Sequence, residues 1–311
     1  MIFNFIDRLQ DSPKSSIYLS VFRLFICFHL FKRIILYWPS LETLFGKNSF
    51  VAADEEFIFG LIDYGLLRNH YEVIIYIYLI IIVLYAFGVG KNLTALALFL
   101  MFALVQRLNP QVLNGGDNIM FFIMLYMVFV DSYQRFSISS FKLDRKYRKL
   151  SNFVTNLAVY SIMIHLCFAY FFSAIGKTNA NAWYNGIAVY YTFSSERFMG
   201  TSLNQVLAQN GYFVTIATYF TLLFEIGFPF LIWFKKMRLP LVISGISLHL
   251  GIYIFMMIHD FQFVFMMIYP LFFTNQELLT FWGKIVQAKQ WVGSQKIRLP
   301  IREKFSEEVS N

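Results

Sequence analysis

The sequence predicts an all-α integral membrane protein, a polytopic bundle of about eight transmembrane helices with cytoplasmic N and C termini. Of its 311 residues, 58% are hydrophobic, 20% are aromatic and only 14% are charged, whereas about a quarter of the residues in a soluble domain are charged. Continuous apolar runs approach the roughly 20 residues that a helix needs to cross a hydrocarbon core. These runs do not alternate between apolar and polar residues, which excludes a β-barrel.

The eight predicted spans are apolar stretches separated by polar loops. They cover residues 16–38, 71–89, 93–108, 118–133, 151–175, 211–234, 239–258 and 261–282. Seven or nine spans are the alternatives, because the third and fourth are short and the last turn is tight. No cleavable signal is expected, since the first span has full length. We predict an amphipathic N-terminus over 1–15, one transmembrane domain over 16–282 and a basic tail over 283–311.

The distribution of basic residues predicts the orientation. On this span assignment, 18 of the 26 lysine and arginine residues lie on the side that carries the N-terminus. Because such residues concentrate in cytoplasmic loops, both termini are expected in the cytoplasm of a bacterial inner membrane. The net charge of +8 then reflects topology and contact with anionic lipid, and it gives no argument for nucleic acid.

Signatures of soluble catalytic sites are absent from the sequence. Cys27 and Cys167 both lie inside predicted spans, so they are expected to be reduced core residues. The chain has no glycine-rich phosphate loop, no HExxH, no CxxC and no GxSxG. No metal site is therefore predicted, and any chemistry must use polar residues inside the membrane.

One pair of such residues is predicted from depth. At 1.5 Å per residue, Arg23 and Glu225 both lie about 10 Å from the inner boundary of their spans. They are therefore predicted to form an ion pair. Because the two charges neutralise each other, this pair is expected to fix the register of the helices rather than to bind a substrate.

The histidines suggest a polar cavity. His165 lies about 20 Å from the inner face, and His249 lies nearer the middle of the membrane. Tyr253 is one turn from His249 and falls on the same helical face. The alternative is that each histidine is an ordinary core residue with satisfied hydrogen bonds.

A second polar cluster is predicted near the outer boundary. Lys177 directly follows the fifth span and precedes Trp183, while Asn114 and Asp117 precede the fourth span and His259 precedes the eighth. If these loops converge, they form a cationic, aromatic-lined pocket that opens to the outer leaflet. Each residue also has a structural alternative, namely a helix cap, an interfacial aromatic belt or a lysine anchored at the membrane surface.

The segment around Lys177 resembles a known signature. Ala174-Ile175-Gly176-Lys177, followed by the run from Ala182 to Tyr191, resembles the HTTM (horizontally transferred transmembrane) family, which includes the membrane domain of vitamin K-dependent gamma-carboxylase. The resemblance covers roughly residues 15 to 282. In length the chain resembles the short bacterial members of the sporulation-delaying protein B type. Weaker agreements lie at Arg23, at Asn114 to Asp117, at Glu225 to Pro229 and at Ser247 to His249.

The resemblance implies a role for Lys177 and a cofactor. In the carboxylase the corresponding lysine is taken to be the base that deprotonates reduced vitamin K, which starts its oxygenation to an epoxide. A reduced, vitamin K-like quinone is thus the implied cofactor, and desolvation near hydrocarbon favours the neutral amine that a base requires. The catalytic histidine of the carboxylase has no evident counterpart, because Asn114 to Asn118 occupy its region. Glutamate carboxylation is therefore not implied.

Two functional hypotheses follow. The first is a membrane enzyme that acts on a lipid quinol or an exported peptide, with a small partner protein, in peptide or toxin maturation. Its catalytic residues are Lys177, His249 and His165, and its substrate contacts are Trp183, Asn114, Asp117, Tyr253 and His259. The second is a non-catalytic scaffold, an immunity or export partner that binds an apolar peptide. A transporter is disfavoured because no inverted repeat is visible.

Overall fold

The computed structural model describes residues 9–11, 13–50, 64–138 and 145–296, which are mostly helical and contain no strand. The nine longest helices are α1 Ser16–Tyr37, α2 Tyr71–Ala86, α3 Lys91–Leu108, α4 Gly115–Met127, α5 Arg145–Thr178, α6 Gly211–Leu231, α7 Lys235–Met256, α8 His259–Ile268 and α9 Asn275–Lys296. Short helices lie between them at Leu41–Phe45, Tyr64–Asn69, Asn181–Tyr184, Ala188–Ser194 and Leu203–Ala208. The predicted all-α class is confirmed.

Four of the described helices are long and apolar enough to cross a membrane: α3, α5, α6 and α7. The stretches Tyr71–Ala86 and Asp260–Phe272 are apolar but shorter. Helix α1 has the length, but it carries three cations, Arg23, Lys32 and Arg33. The helical membrane fold is thus supported by length and composition, whereas the count of eight spans and the side of each terminus stay predictions.

Helices α1 to α8 pack largely in chain order, each against the next, and α8 returns to pack against α4 and α1. The contact between α5 and α6 is the most extensive. Because α8 contacts both α4 and α5, the helices α4 to α8 close around a common interior. This arrangement places the end of α5 beside the middle of α7 and the start of α8.

An ion pair links α1 to the start of α4. The Arg33 guanidinium contacts the Asp117 carboxylate, and both side chains are almost fully buried. Asp117 also accepts from the Asn114 N–H at 2.8 Å, while the Asn114 side chain accepts from the Gly116 N–H at 2.7 Å, which completes a capping box. The Asp117 carboxylate is thus engaged by Arg33 and by the cap, and its predicted contact with substrate stays a prediction.

Two glycines allow α4 to approach α8. A Cβ at Gly115 would lie 2.9 Å from the Phe261 ring, and one at Gly116 would lie 2.9 Å from the Phe261 Cα. Larger residues would push the two helices apart at their shared wall. The Asn114-Gly115-Gly116-Asp117 segment thus combines a helix cap with a close helix contact.

The predicted Arg23–Glu225 ion pair is wrong. The fully buried Arg23 side chain donates instead to the carbonyl oxygens of Ser132, Arg135 and Phe136, at 2.8, 3.2 and 2.5 Å. Glu225 pairs with Lys177. Depth along a span places a residue at a level of the bundle, but it does not specify which neighbouring helix the side chain faces, and that is where the prediction failed.

The predicted eighth span is two helices rather than one. Helix α8 ends at Ile268, a 3₁₀ turn covers Tyr269–Phe272, and α9 begins at Asn275 in a separate compact unit that starts at Phe273. Pro270 lacks an N–H and disfavours a continuous helix. Thr274 and Glu277 then form a reciprocal cap, with the Thr274 N–H donating to Glu277 Oε2 at 2.9 Å and the Glu277 N–H to Thr274 Oγ1 at 3.3 Å.

Candidate functional site

Helices α4 to α8 enclose a cavity of about 630 Å³, which we call the aromatic cavity. Six of its lining residues carry aromatic rings of phenylalanine or tyrosine: Phe122, Phe168, Tyr170, Phe172, Phe261 and Phe265. Its polar lining consists of Asn118, His165, Ser173, Lys177, Glu225, His249 and Gln262. An apolar pocket with a few convergent polar groups is the usual form of a small-molecule site.

Lys177 and Glu225 form an ion pair in the wall of this cavity. The Lys177 ammonium lies against Glu225 Oε1, donates to Ser173 Oγ at 2.9 Å and sits 5.0 Å from the centre of the Trp183 ring. The Lys177 side chain is 21% exposed and that of Glu225 is 8% exposed. The base role that the resemblance implies requires an amine without a counter-charge, whereas the structure places the Glu225 carboxylate against Lys177.

The other oxygen of this carboxylate is unused. Glu225 Oε2 is buried and has no hydrogen-bond partner within the part of the chain that the structure describes. An unpaired buried acceptor is costly. A ligand in the aromatic cavity that carries a hydroxyl or N–H group would satisfy it.

Lys177 lies in the last turn of α5, which agrees with its predicted place at the end of the fifth span. Its partner Glu225 is 14 residues from the start of α6, which is about 21 Å along the helix axis. Helix α5 therefore ends beside the interior of α6 and not beside its start. The chain after Lys177 packs along α6, since the Tyr219 hydroxyl donates to the Tyr184 carbonyl at 2.8 Å and the Val189 N–H to Thr218 Oγ1 at 3.2 Å.

His249 lies at the centre of a buried hydrogen-bond chain. Its Nε2 is 2.7 Å from the Tyr170 hydroxyl, which is 2.6 Å from the Tyr269 hydroxyl, and its Nδ1 contacts Gln262 Oε1. With the amide oxygen at Nδ1, that nitrogen carries the proton and Nε2 accepts from Tyr170. Tyr269 then donates to Tyr170. Gln262 Nε2 is buried and has no hydrogen-bond partner among the described residues, so one donor is left for a ligand.

The tyrosine that was predicted to accompany His249 is a different one. Tyr253 is 46% exposed and lines another cavity, not the aromatic cavity. Tyr170 and Tyr269, from other helical segments, supply the hydroxyls. No sequence pattern indicated them.

His165 lines the aromatic cavity, where its imidazole ring packs against two other aromatic rings. Its centroid lies 4.4 Å from that of Phe122 and 6.3 Å from that of Tyr126. It is half-buried in this aromatic contact. The structure thus brings His165 to the same cavity as Lys177 and His249, where it contributes a packing surface.

The hydrogen-bond chain through His249 requires a glycine at position 245. A Cβ at Gly245 would collide with the Tyr269 hydroxyl. Gly245→Ala is therefore expected to displace Tyr269 and to cost about 1 to 3 kcal/mol of unfolding free energy by overpacking. Gly251→Ala on the same helix, where no atom lies within 4 Å of the added carbon, is the matched control. Equal melting temperatures for the two variants would contradict the assignment.

A second cavity, of about 610 Å³, adjoins the aromatic cavity and shares Met256 and Ile258 with it. Of the predicted substrate contacts, Asn114 and Tyr253 line this second cavity. Lys32 and Asp260 form an ion pair of 2.6 Å in its wall. His259 begins α8, but its side chain lies outside the described part of the chain. The prediction for His259 therefore stays a prediction.

The comparisons with known proteins give a family. A model of the HTTM domain matches residues 12–276. Neither a curated protein nor a solved structure matches the chain. The HTTM match covers most of the chain, including all the helices that enclose the aromatic cavity. This helical membrane protein therefore belongs to the HTTM domain family.

Proposed function

We propose that this protein is a membrane-embedded enzyme in which Lys177 and Glu225 move protons to and from an apolar, hydroxyl-bearing lipid such as a reduced quinone. The observation that carries the proposal is the unpartnered Glu225 Oε2 in the wall of an aromatic cavity, next to a lysine. Ion pairs that serve only structure do not require a free acceptor beside a cavity.

The residues of the aromatic cavity fit such a group. Aromatic side chains can stack on a planar ring, and the volume of about 630 Å³ is within the range of small-molecule sites. Glu225 Oε2 can accept a hydroxyl proton, and Gln262 Nε2 can donate to a ring oxygen. A reduced quinone, when bound, supplies electrons for reaction with oxygen.

The chain's own part is proton transfer and charge stabilisation. Glu225 Oε2 can take a proton directly, and the Lys177 ammonium then stabilises the anion that is left. Lys177 itself can act as the base once its proton has passed to Glu225 Oε1. The buried chain of His249, Tyr170 and Tyr269 holds the neighbouring wall in place.

A second candidate function has one observation in its favour. Lys177 and Glu225 neutralise each other, and such a pair can hold α5 to α6 without any reaction. On this hypothesis the cavity binds an apolar segment of an exported peptide, and the protein is an immunity or export scaffold with a small partner protein in the bacterial inner membrane.

Lys177→Arg separates the two functions. Arginine keeps the positive charge but does not release a proton, so an enzyme should lose about 100-fold or more in turnover, whereas a scaffold should tolerate the change. Turnover would be measured as oxidation of a reduced naphthoquinone under air by the protein in nanodiscs. Gly176→Ala is the neighbouring control, since an added Cβ there meets nothing within 4 Å. Wild-type turnover in the arginine variant would refute the proposed proton transfer.

The proposed orientation can be tested independently. A single cysteine at Ser202, which is exposed, should react with an impermeant maleimide from outside intact cells, in a background without Cys27 and Cys167. A cysteine at Lys142 should be labelled only after the cells are opened. Labelling of both positions in intact cells would overturn the predicted topology.

A further inference from the structure

The second cavity carries a positive charge. Lys32 and Asp260 line it as an ion pair, and Arg197 lies beside them in the wall. Arg197 is exposed, and its guanidinium lies 5.5 Å from the centre of the Phe198 ring. Within the described residues Arg197 has no carboxylate partner. The two cations and one carboxylate leave the cavity with one positive charge that is not compensated.

The segment that carries Arg197 is held firmly against the end of α7. The Gly200 N–H donates to the Phe255 carbonyl at 3.0 Å, and Asn204 Nδ2 donates to the same oxygen at 2.6 Å. A Cβ at Gly200 would lie 2.6 Å from the Ile254 carbonyl oxygen, so a glycine permits this approach. Arg197 is thus carried by a pre-organised wall, which lowers the entropic cost of binding.

Exposed apolar side chains border the same cavity. Leu36, Tyr253 and Met257 line it and are 64%, 46% and 57% exposed. In a membrane protein such side chains lie against acyl chains. A cationic cavity is therefore flanked by a surface suited to hydrocarbon.

We propose that the second cavity binds the head group of an anionic phospholipid. Arg197 and Lys32 hold the phosphate, and the acyl chains run along Leu36, Tyr253 and Met257. A guanidinium can bind two phosphate oxygens in a fixed, bidentate geometry. Basic pockets between transmembrane helices are a known form of head-group site.

The bound lipid would form part of the boundary of the aromatic cavity, because Met256 and Ile258 line both cavities. The proposal does not depend on the enzymatic function, since none of the residues that hold the lipid transfers a proton. Lys177→Arg should therefore leave lipid binding unchanged even if it abolishes turnover.

The test is a titration of the purified protein with dioctanoyl phosphatidylglycerol, followed by native mass spectrometry. Arg197→Gln should weaken binding at least about tenfold, because a hydrogen bond between two charged groups is lost. Lys47→Gln, which removes an exposed cation outside the cavity, should leave affinity within about twofold. The unmodified protein should also prefer phosphatidylglycerol over dioctanoyl phosphatidylcholine at least about tenfold.

Three outcomes would overturn the proposal. They are equal affinity for the two lipids, unchanged binding in Arg197→Gln, and full displacement of phosphatidylglycerol by an equal concentration of inorganic phosphate. The last outcome would show a site for a free anion instead of a lipid. The comparison of lipids uses the unmodified protein, so it decides the matter even if a variant folds poorly.

Discussion

Asp117→Asn is expected to destabilise the protein by about 3 to 5 kcal/mol, because it leaves the buried Arg33 guanidinium without its counter-charge. Asparagine retains an oxygen that can accept from the Asn114 N–H, so the helix cap is largely preserved. The loss would therefore report the ion pair rather than the cap. It would be measured by denaturant or thermal unfolding in detergent.

The matched control is the more exposed pair. Asp260→Asn breaks the contact with Lys32, whose side chain is 32% exposed, and is expected to cost about 1 kcal/mol or less. The variant Arg33→Met and the double variant Arg33→Met with Asp117→Asn complete a double-mutant cycle. If the losses in unfolding free energy of the two single variants add in the double variant, Arg33 and Asp117 are not coupled and the ion pair is contradicted.

Glu225→Gln should affect both stability and turnover. It leaves the Lys177 ammonium in a largely apolar wall without a carboxylate, at a cost of about 3 kcal/mol. If the pair transfers protons, turnover should also fall about 100-fold or more. Glu196→Gln, at an exposed glutamate that lines neither cavity, is the control for the loss of a negative charge.

A double variant separates structure from chemistry. Lys177→Met combined with Glu225→Leu removes both charges, so much of the lost stability should return. Turnover should stay abolished, because neither proton acceptor remains. A stable double variant that turns over reduced quinone like the wild type would exclude the proposed role of this pair.

Much of the helical fold could be predicted from apolar runs, because a membrane helix requires them in the sequence itself. The failures lie where a local signal was missed. The Thr274-to-Glu277 cap matches the pattern of a threonine followed three residues later by a glutamate, and together with Pro270 it marks the break that the prediction of one helix over 261–282 overlooked.

The site could be predicted only in part, for a physical reason. Buried polar residues are costly in a membrane, which singled out Lys177, His165 and His249, and all three line the aromatic cavity. Their partners could not be read from the sequence, since Glu225 and Tyr170 depend on how the helices rotate and cross. Depth along a helix is a single coordinate, whereas a contact requires three.

Two ion pairs of this protein differ in burial, so they should respond differently to ionic strength. Mobile ions screen charges over about 10 Å at 0.1 M salt and about 3 Å at 1 M, but only where electrolyte can reach them. The side chains of Arg33 and Asp117 are 9% and 3% exposed, whereas those of Lys32 and Asp260 are 32% and 20% exposed. Concentrated salt should thus loosen the wall of the second cavity while the junction between α1 and α4 holds.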